Sequence, residues 1–231
     1  MAQQIAISNP TFYTPAMARV DPRLGGSPDG NLTVVHGWYP DYHPRESGQP
    51  EYTNRRPEWR DEMDGADCRQ KVFTTFGTTR GVVYQRVSVT PGDVLTFSVV
   101  ARYSSTGAGV ALVVGIDPTG GTDFEAGTVA WGRWHGESPP EGDPGRWENP
   151  GPGQISDKRT LSVENVEAQG PNVTLFCRLE NLYAGKDASA FWYQASLYGQ
   201  DDTSNPDPDD SDIVDALHEI RGALHEIRDK L

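Results

Sequence analysis

The stretch HGWYPDYHP at 36–44 is the densest gathering of residue types that can do chemistry. His36, Asp41 and His43 could serve as metal ligands or as an acid–base set. Their spacing matches no strong ligand pattern, and Pro40 excludes a helix that would bring them onto one face. Histidines lodged among aromatics in a Pro-rich loop are ordinarily just hydrogen-bonded. His218 and His225 fall at exposed positions of a C-terminal heptad pattern.

Nucleophile motifs give less. The chain has no GxSxG, HExxH or SxxK, and GIDPTGGTD lacks the Lys-Ser/Thr and following helix that a phosphate loop requires. The same turn offers Asp117, Thr119 and Asp123 as oxygen ligands at alternating spacing, which suits Ca²⁺; an ordinary Asx turn is the alternative. No other cofactor is expected. Glycoside hydrolysis needs two carboxylates converging at about 5 Å or about 6.5–9.5 Å. Glu51, Glu58, Asp61, Glu62, Asp64, Glu137, Glu141 and Glu148 supply abundance without convergence, as solvated loop charges do. A non-enzyme is expected.

Aromatic residues are more informative. Trp38, Tyr39, Tyr42, Tyr52, Trp59, Trp131, Trp134 and Trp147 concentrate in or beside two long loop regions. Exposed rings offer flat apolar faces on which sugar C–H groups stack, while neighbouring polar side chains bond the hydroxyls. Trp38, Tyr39, Tyr42, Trp131, Trp134 and Trp147 are the candidate glycan-binding set. The competing reading is a small core under the loops.

The elements that must position these groups are short strands. In 231 residues, 25 Gly and 18 Pro favour a loop-rich β domain over a helical bundle. Residues 1–70 read as mostly irregular, opened by a short strand near 5–12. Period two sets in at Lys71. KVFTTF precedes VVYQRVSV, with Val83, Val87 and Val89 on one parity; VTPGD then turns into VLTFSVVARY, where Leu95, Phe97, Val99 and Ala101 alternate. That pattern predicts a β-hairpin with one buried face. GVALVVGI carries Val110, Leu112, Val114 and Ile116 on one side, TVAWGRW follows as a strand, and residues 135–153 read as loop. KRTLSVENVEA, NVTLFCRLEN and SAFWYQASLY complete seven or eight strands without interleaved helices. The predicted fold is all-β, an antiparallel sandwich of jelly-roll type over 1–198.

Composition restricts partners. The formal charge of −13 argues against nucleic acid, since phosphate binding needs clustered Lys and Arg. No run approaches the roughly 18–20 apolar residues of a membrane helix, so no membrane insertion is expected. The first 25 residues lack a basic n-region and an apolar h-region, which predicts synthesis in the cytoplasm without a signal peptide. Cys68 and Cys177 are too few for a disulfide scaffold. One bridge could form, but Cys177 falls on the apolar parity of its strand and reads as a buried free thiol.

After the sandwich, 199–210 reads as an acidic linker and 211–231 as a helix capped by Ser211 or Asp212. Ile213, Leu217, Ile220, Leu224, Ile227 and Leu231 recur at alternating spacings of four and three. With Leu at a and Ile at d, this seam favours trimers, or tetramers, over dimers. A helix this short is marginal alone, so self-association is expected, against packing on its own sandwich or on an unrelated partner.

Several segments taken in order carry a resemblance: NPTF at 9–12, GWYP at 37–40, PEYTNR at 50–55, residues 69–105, VVGIDPTGGTD with TVAWGRW, LSVENVEAQGPNVTLFCRLEN, and KDASAFWYQASL. Over about residues 8–198 the chain resembles the β-sandwich domains related to carbohydrate-binding modules in bacterial surface proteins and phage virion proteins. The resemblance implies a galactose-binding-like jelly roll and a non-catalytic, surface-binding role. Such sandwiches often hold a structural Ca²⁺ through carboxylates near the first strand and in the last; here Thr11 and Gln194 stand at those places. The reading that follows is a virion surface protein, as capsid decoration, head fibre or tail-associated adhesin. It would be multimerised by its coil and would contact capsid or tail proteins and cell-surface glycan. The alternatives are a cellular carbohydrate-binding accessory module and, after it, a glycan hydrolase.

Overall fold

The computed structural model describes residues 2–12, 17–19, 33–64, 67–106, 109–136, 156–184 and 187–200. Among these the regular structure is all β: β1 (Gln3–Ile5), β2 (Met17–Arg19), β3 (Thr33–Val35), β4 (Tyr39–Tyr42), β5 (Glu58–Asp64), β6 (Asp67–Thr74), β7 (Thr79–Ser88), β8 (Val94–Ser105), β9 (Val110–Asp117), β10 (Ala130–Trp131), β11 (His135–Gly136), β12 (Arg159–Glu167), β13 (Asn172–Asn181) and β14 (Ala188–Gln200). The first antiparallel sheet runs β12-β8-β14-β6-β5, with β1 also on β14; the second runs β10-β9-β13-β7-β4, with β11 also on β9. β2 and β3 form a separate pair.

The sandwich follows from alternation. β8 buries every second residue, and Leu95, Phe97, Val99, Ala101 and Tyr103 face the core. Val110, Leu112, Val114 and Ile116 of β9 meet them from the second sheet, with Val173, Leu175, Cys177 and Leu179 of β13, in one hydrophobic cluster. Trp59 and Trp192 are fully buried in it, and Trp59 Nε1 donates to Val82 O across the two sheets at 3.1 Å. Truncating such a side chain to Ala costs about 3–5 kcal/mol.

Two bulges preserve the alternation. In β12 the register shifts between Val163 and Val166, around Asn165 at φ 59°. In β14 it shifts between Trp192 and Gln194: Ala188, Ala190 and Trp192 point inward before the extra residue, Ala195 and Leu197 after it.

Several sequence expectations are corrected. β7 and β8 do not form a hairpin; β7 pairs with β13 and β4, β8 with β12 and β14. The turn at 90–93, with Gly92 at φ 90°, carries the chain from one sheet to the other. Turn residues fix a reversal, but partner choice depends on faces far away in sequence, and a sandwich corner has the same alternation as a hairpin. The segment 1–70 holds β1 to β5 and the start of β6; in β5 and β6 charged residues hide the period. The opening strand is Gln3–Ile5, and 9–12 forms a turn with Phe12 N donating to Asn9 O at 3.2 Å. Of TVAWGRW only Ala130–Trp131 pairs as a strand; His135–Gly136, placed in the following loop, pairs with β9.

β14 extends through Gly199 and Gln200, which pair with Leu95 and Val94. The rest of the linker and the helix, with Ile213, Leu217, Ile220, Leu224, Ile227 and Leu231, lie outside the described residues. Cys177 is free and buried, and burial pushes its thiol well up. Among the described residues no helix is long and apolar enough to cross a membrane.

Candidate functional site on the outer face of the second sheet

The second sheet places one aromatic row across five strands. Tyr39 of β4 lies opposite Tyr84 of β7, Tyr84 opposite Phe176 of β13, Phe176 opposite Gly115 of β9, and Gly115 opposite Trp131 of β10. Their chain neighbours Val83, Cys177 and Val114 face the core, so the row faces outward. Ring centroids are 5.7 Å apart for Tyr39–Tyr84, 5.8 Å for Tyr84–Phe176 and 5.9 Å for Phe176–Trp131. Gly115 makes the last contact feasible: a Cβ there would lie 2.5 Å from Trp131 Cε3, so the indole lies over bare backbone and reaches Phe176. At about 4.8 Å per strand, four gaps give a row roughly 19 Å long.

The loop at 118–129 folds over the middle of this row. Phe124 and Val129 bury themselves against Val82 and Phe176, with Tyr84, Ala126 and Trp131 around the rim. Phe176 is therefore fully covered, Tyr84, Trp131 and Trp134 stay partly open, and Tyr39 is 57% exposed.

Asp117, at the end of β9, closes the loop on itself. Its carboxylate accepts from Thr119 N at 2.8 Å, Thr119 Oγ1 at 2.6 Å and Thr128 Oγ1 at 3.0 Å. Asp123 accepts from Glu125 N at 2.9 Å. Both aspartates thus serve Asx-type turns, and among the described residues no three His, Cys, Asp or Glu are grouped to hold a metal ion. The two segments that the family resemblance associates with Ca²⁺ do meet, through Ala195 N donating to Pro10 O at 2.7 Å, but Thr11 and Gln194 are both exposed there.

A charge network fastens the loop to the sheet. Glu125 takes His43 Nδ1 at 2.5 Å and Arg80 at 3.1 Å, and Arg80 also approaches Glu180 at 3.7 Å. Arg178 pairs with Glu180, lies 3.9 Å from Glu125, and has its guanidinium 5.2 Å from the Phe124 and Trp131 centroids and 5.4 Å from that of Trp134. Burial lowers the Arg178 pKa, with Glu180 opposing. This arginine holds two tryptophans in place as well as the loop.

Period two sorts the candidates of 36–44. Tyr39 and Asp41 face outward. Trp38 is 3% exposed, packs on Phe12 at 4.7 Å and donates Nε1 to Ser8 O; Tyr42 sits edge-on to Trp59 at 6.5 Å and packs on the core. Neither Trp38 nor Tyr42 offers a ring to a sugar on this face. His36 lies in the turn before β4 and His43 beyond its end, so the extended strand keeps them apart. Trp147 lies outside the described residues. The carboxylates gathered here, Asp41, Asp123, Glu125 and Glu180, are not those that the hydrolase alternative singled out. Tyr84, Arg178, Glu125 and Glu180 were missed; the signal that could have found them is an aromatic at outward parity on each successive strand.

No family model and no curated protein matches the chain. Among solved structures it is similar to carbohydrate-binding modules and a phage tailspike domain. It is 9% identical to TmCBM61 in complex with β-1,4-galactotriose, over 71% of this chain and 88% of that one, with a TM-score of 0.41. A CBM4 structure is 10% identical over 84% of this chain and 100% of that one, TM-score 0.39. The enzymatically active domain of bacteriophage CBA120 tailspike protein 4 is 8% identical over 71% of this chain and 19% of that one, TM-score 0.40.

Proposed function

We propose that the chain is a non-catalytic glycan-binding module of jelly-roll type that uses the outer face of its second sheet. The observation that carries this is the aromatic row in cross-strand register, open at Tyr39 and Tyr84 on one side of the 118–129 loop and at Trp131 and Trp134 on the other. Rings supply the stacking faces, and carboxylates and guanidinium groups beside them supply hydrogen-bond partners for hydroxyls. Single sites of this kind bind weakly. The heptad stripe at 213–231 supports a trimer that would link them into useful avidity, and the wider reading is a virion exterior component contacting capsid or tail proteins and host glycan.

Binding to a glycan array, followed by calorimetry on Tyr39→Ala and Trp134→Ala, tests the site; undiminished binding by both variants would sink it. Light scattering on the full chain and on one ending at Gln200 tests the trimer. Equal masses would remove the coil from the picture and leave the site standing.

A further inference from the structure

The part of the aromatic row over β4 and β7 is flanked by uncompensated negative charge. Asp41 sits opposite Val82, and Phe124, packed on Val82, brings its neighbour Asp123 to the same corner. One oxygen of each carboxylate takes a backbone amide: Asp41 Oδ1 from Tyr42 N at 2.8 Å, Asp123 Oδ1 from Glu125 N at 2.9 Å. Among the described residues no cation pairs with either. The basic groups nearby are engaged elsewhere: Arg80 and His43 Nδ1 on Glu125, and Arg178 on Glu180. Arg86 directs Nε toward Gly120, across β13 and away from β4. Burial, and after it the charge of Asp123, holds Asp41 above the usual carboxylate range, while Tyr42 N opposes; burial and Asp41 push the Tyr84 phenol up.

Two rings 5.7 Å apart beside two carboxylates are surroundings that hold an ammonium. The ring faces attract a cation within about 6 Å of their centroids, and the carboxylates accept its N–H groups. We propose that Tyr39, Tyr84, Asp41 and Asp123 form a subsite for a sugar carrying a free, protonated amine. The inference rests on the glycan-binding reading and adds the charge class of the ligand. An acidic sugar is repelled at this corner, and an N-acetylated one lacks the charge that the carboxylates would meet.

Calorimetry with the full chain at about pH 6, below the ordinary pKa of an amine, compares a glucosamine oligomer with its N-acetylated counterpart. The expected result is about tenfold tighter binding of the amine form, with the gap closing in high salt and in both Asp41→Asn and Asp123→Asn. Equal affinities in the unmodified chain, or a preference that survives high salt and both substitutions, would overturn the charge inference and leave the stacking reading intact. Failure of both oligomers, together with a glycan array unmoved by Tyr39→Ala, would overturn the two together.

Discussion

The outer faces of the two sheets carry similar rings in different company. On the first sheet Phe191 and Tyr193 are 2% and 6% exposed beneath long cationic side chains: Arg69 lies 4.8 Å above Phe191, Lys71 5.4 Å above it, and Lys158 4.1 Å above Tyr193. On the second, the outward neighbour of Tyr39 is the short Asp41, Arg86 beside Tyr84 turns toward Gly120, and Tyr39 stays open. Lys and Arg stems lie flat over an aromatic ring and seal it, whereas an aspartate is too short to roof one. An outward ring is a pillar or a platform according to the length and sign of its neighbours.

The largest effect that would break this contrast is expected at Arg178. Arg178→Met leaves Glu180 buried and short of its closest partner, and a loss of about 3–5 kcal/mol in urea unfolding is expected. A loss near zero would mean that the loop is fastened by Phe124 alone. Gly115→Val comes next. The new side chain would drive Trp131 off the backbone, costing about 1–3 kcal/mol and changing the near-ultraviolet dichroism of the tryptophans; an unchanged spectrum would show that the indole does not rest there. Lys158→Met on the first face removes an exposed cation from Tyr193, for about 0.5–1 kcal/mol. If the cationic roof seals the rings, the substitution also raises Tyr193 accessibility to nitration.

Asp41→Asn has the smallest effect and separates the faces by sign. A carboxyl raised in the folded state contributes stability below its unfolded value of 3.8, and that contribution is lost as pH rises through the folded value. The variant should therefore melt above the unmodified chain at neutral pH, with the difference shrinking on acidification. A gap that widens on acidification would mean that Asp41 is favourably paired.

Strand existence was legible wherever an alternating apolar parity stood against polar neighbours, as in Leu95 to Tyr103 or Val173 to Leu179. Strand partnership was not, because β7 reads the same whether it pairs with β8 or with β13. The site was legible in composition and obscure in direction. Trp38, Tyr39 and Tyr42 are equivalent as an aromatic cluster, and only placing 39–42 in a strand sends Tyr39 out and the other two in. Pro40 disguised that strand; at the sheet edge, where β4 lies, the missing N–H is tolerated. Arg178 was hidden for another reason. A charge in the middle of an apolar run reads as an interruption until the loop that covers it is in view.

Tyr193 occupies the extra position of the β14 bulge. Without it, Trp192 and Gln194 would still meet Ala101 and Val100 in sequence, and every inward residue would keep its direction. Tyr193 is thus an ornament the scaffold could shed without rethreading, so shortening the chain by this one residue would take the ring from under Lys158 and leave the fold's wiring unaltered.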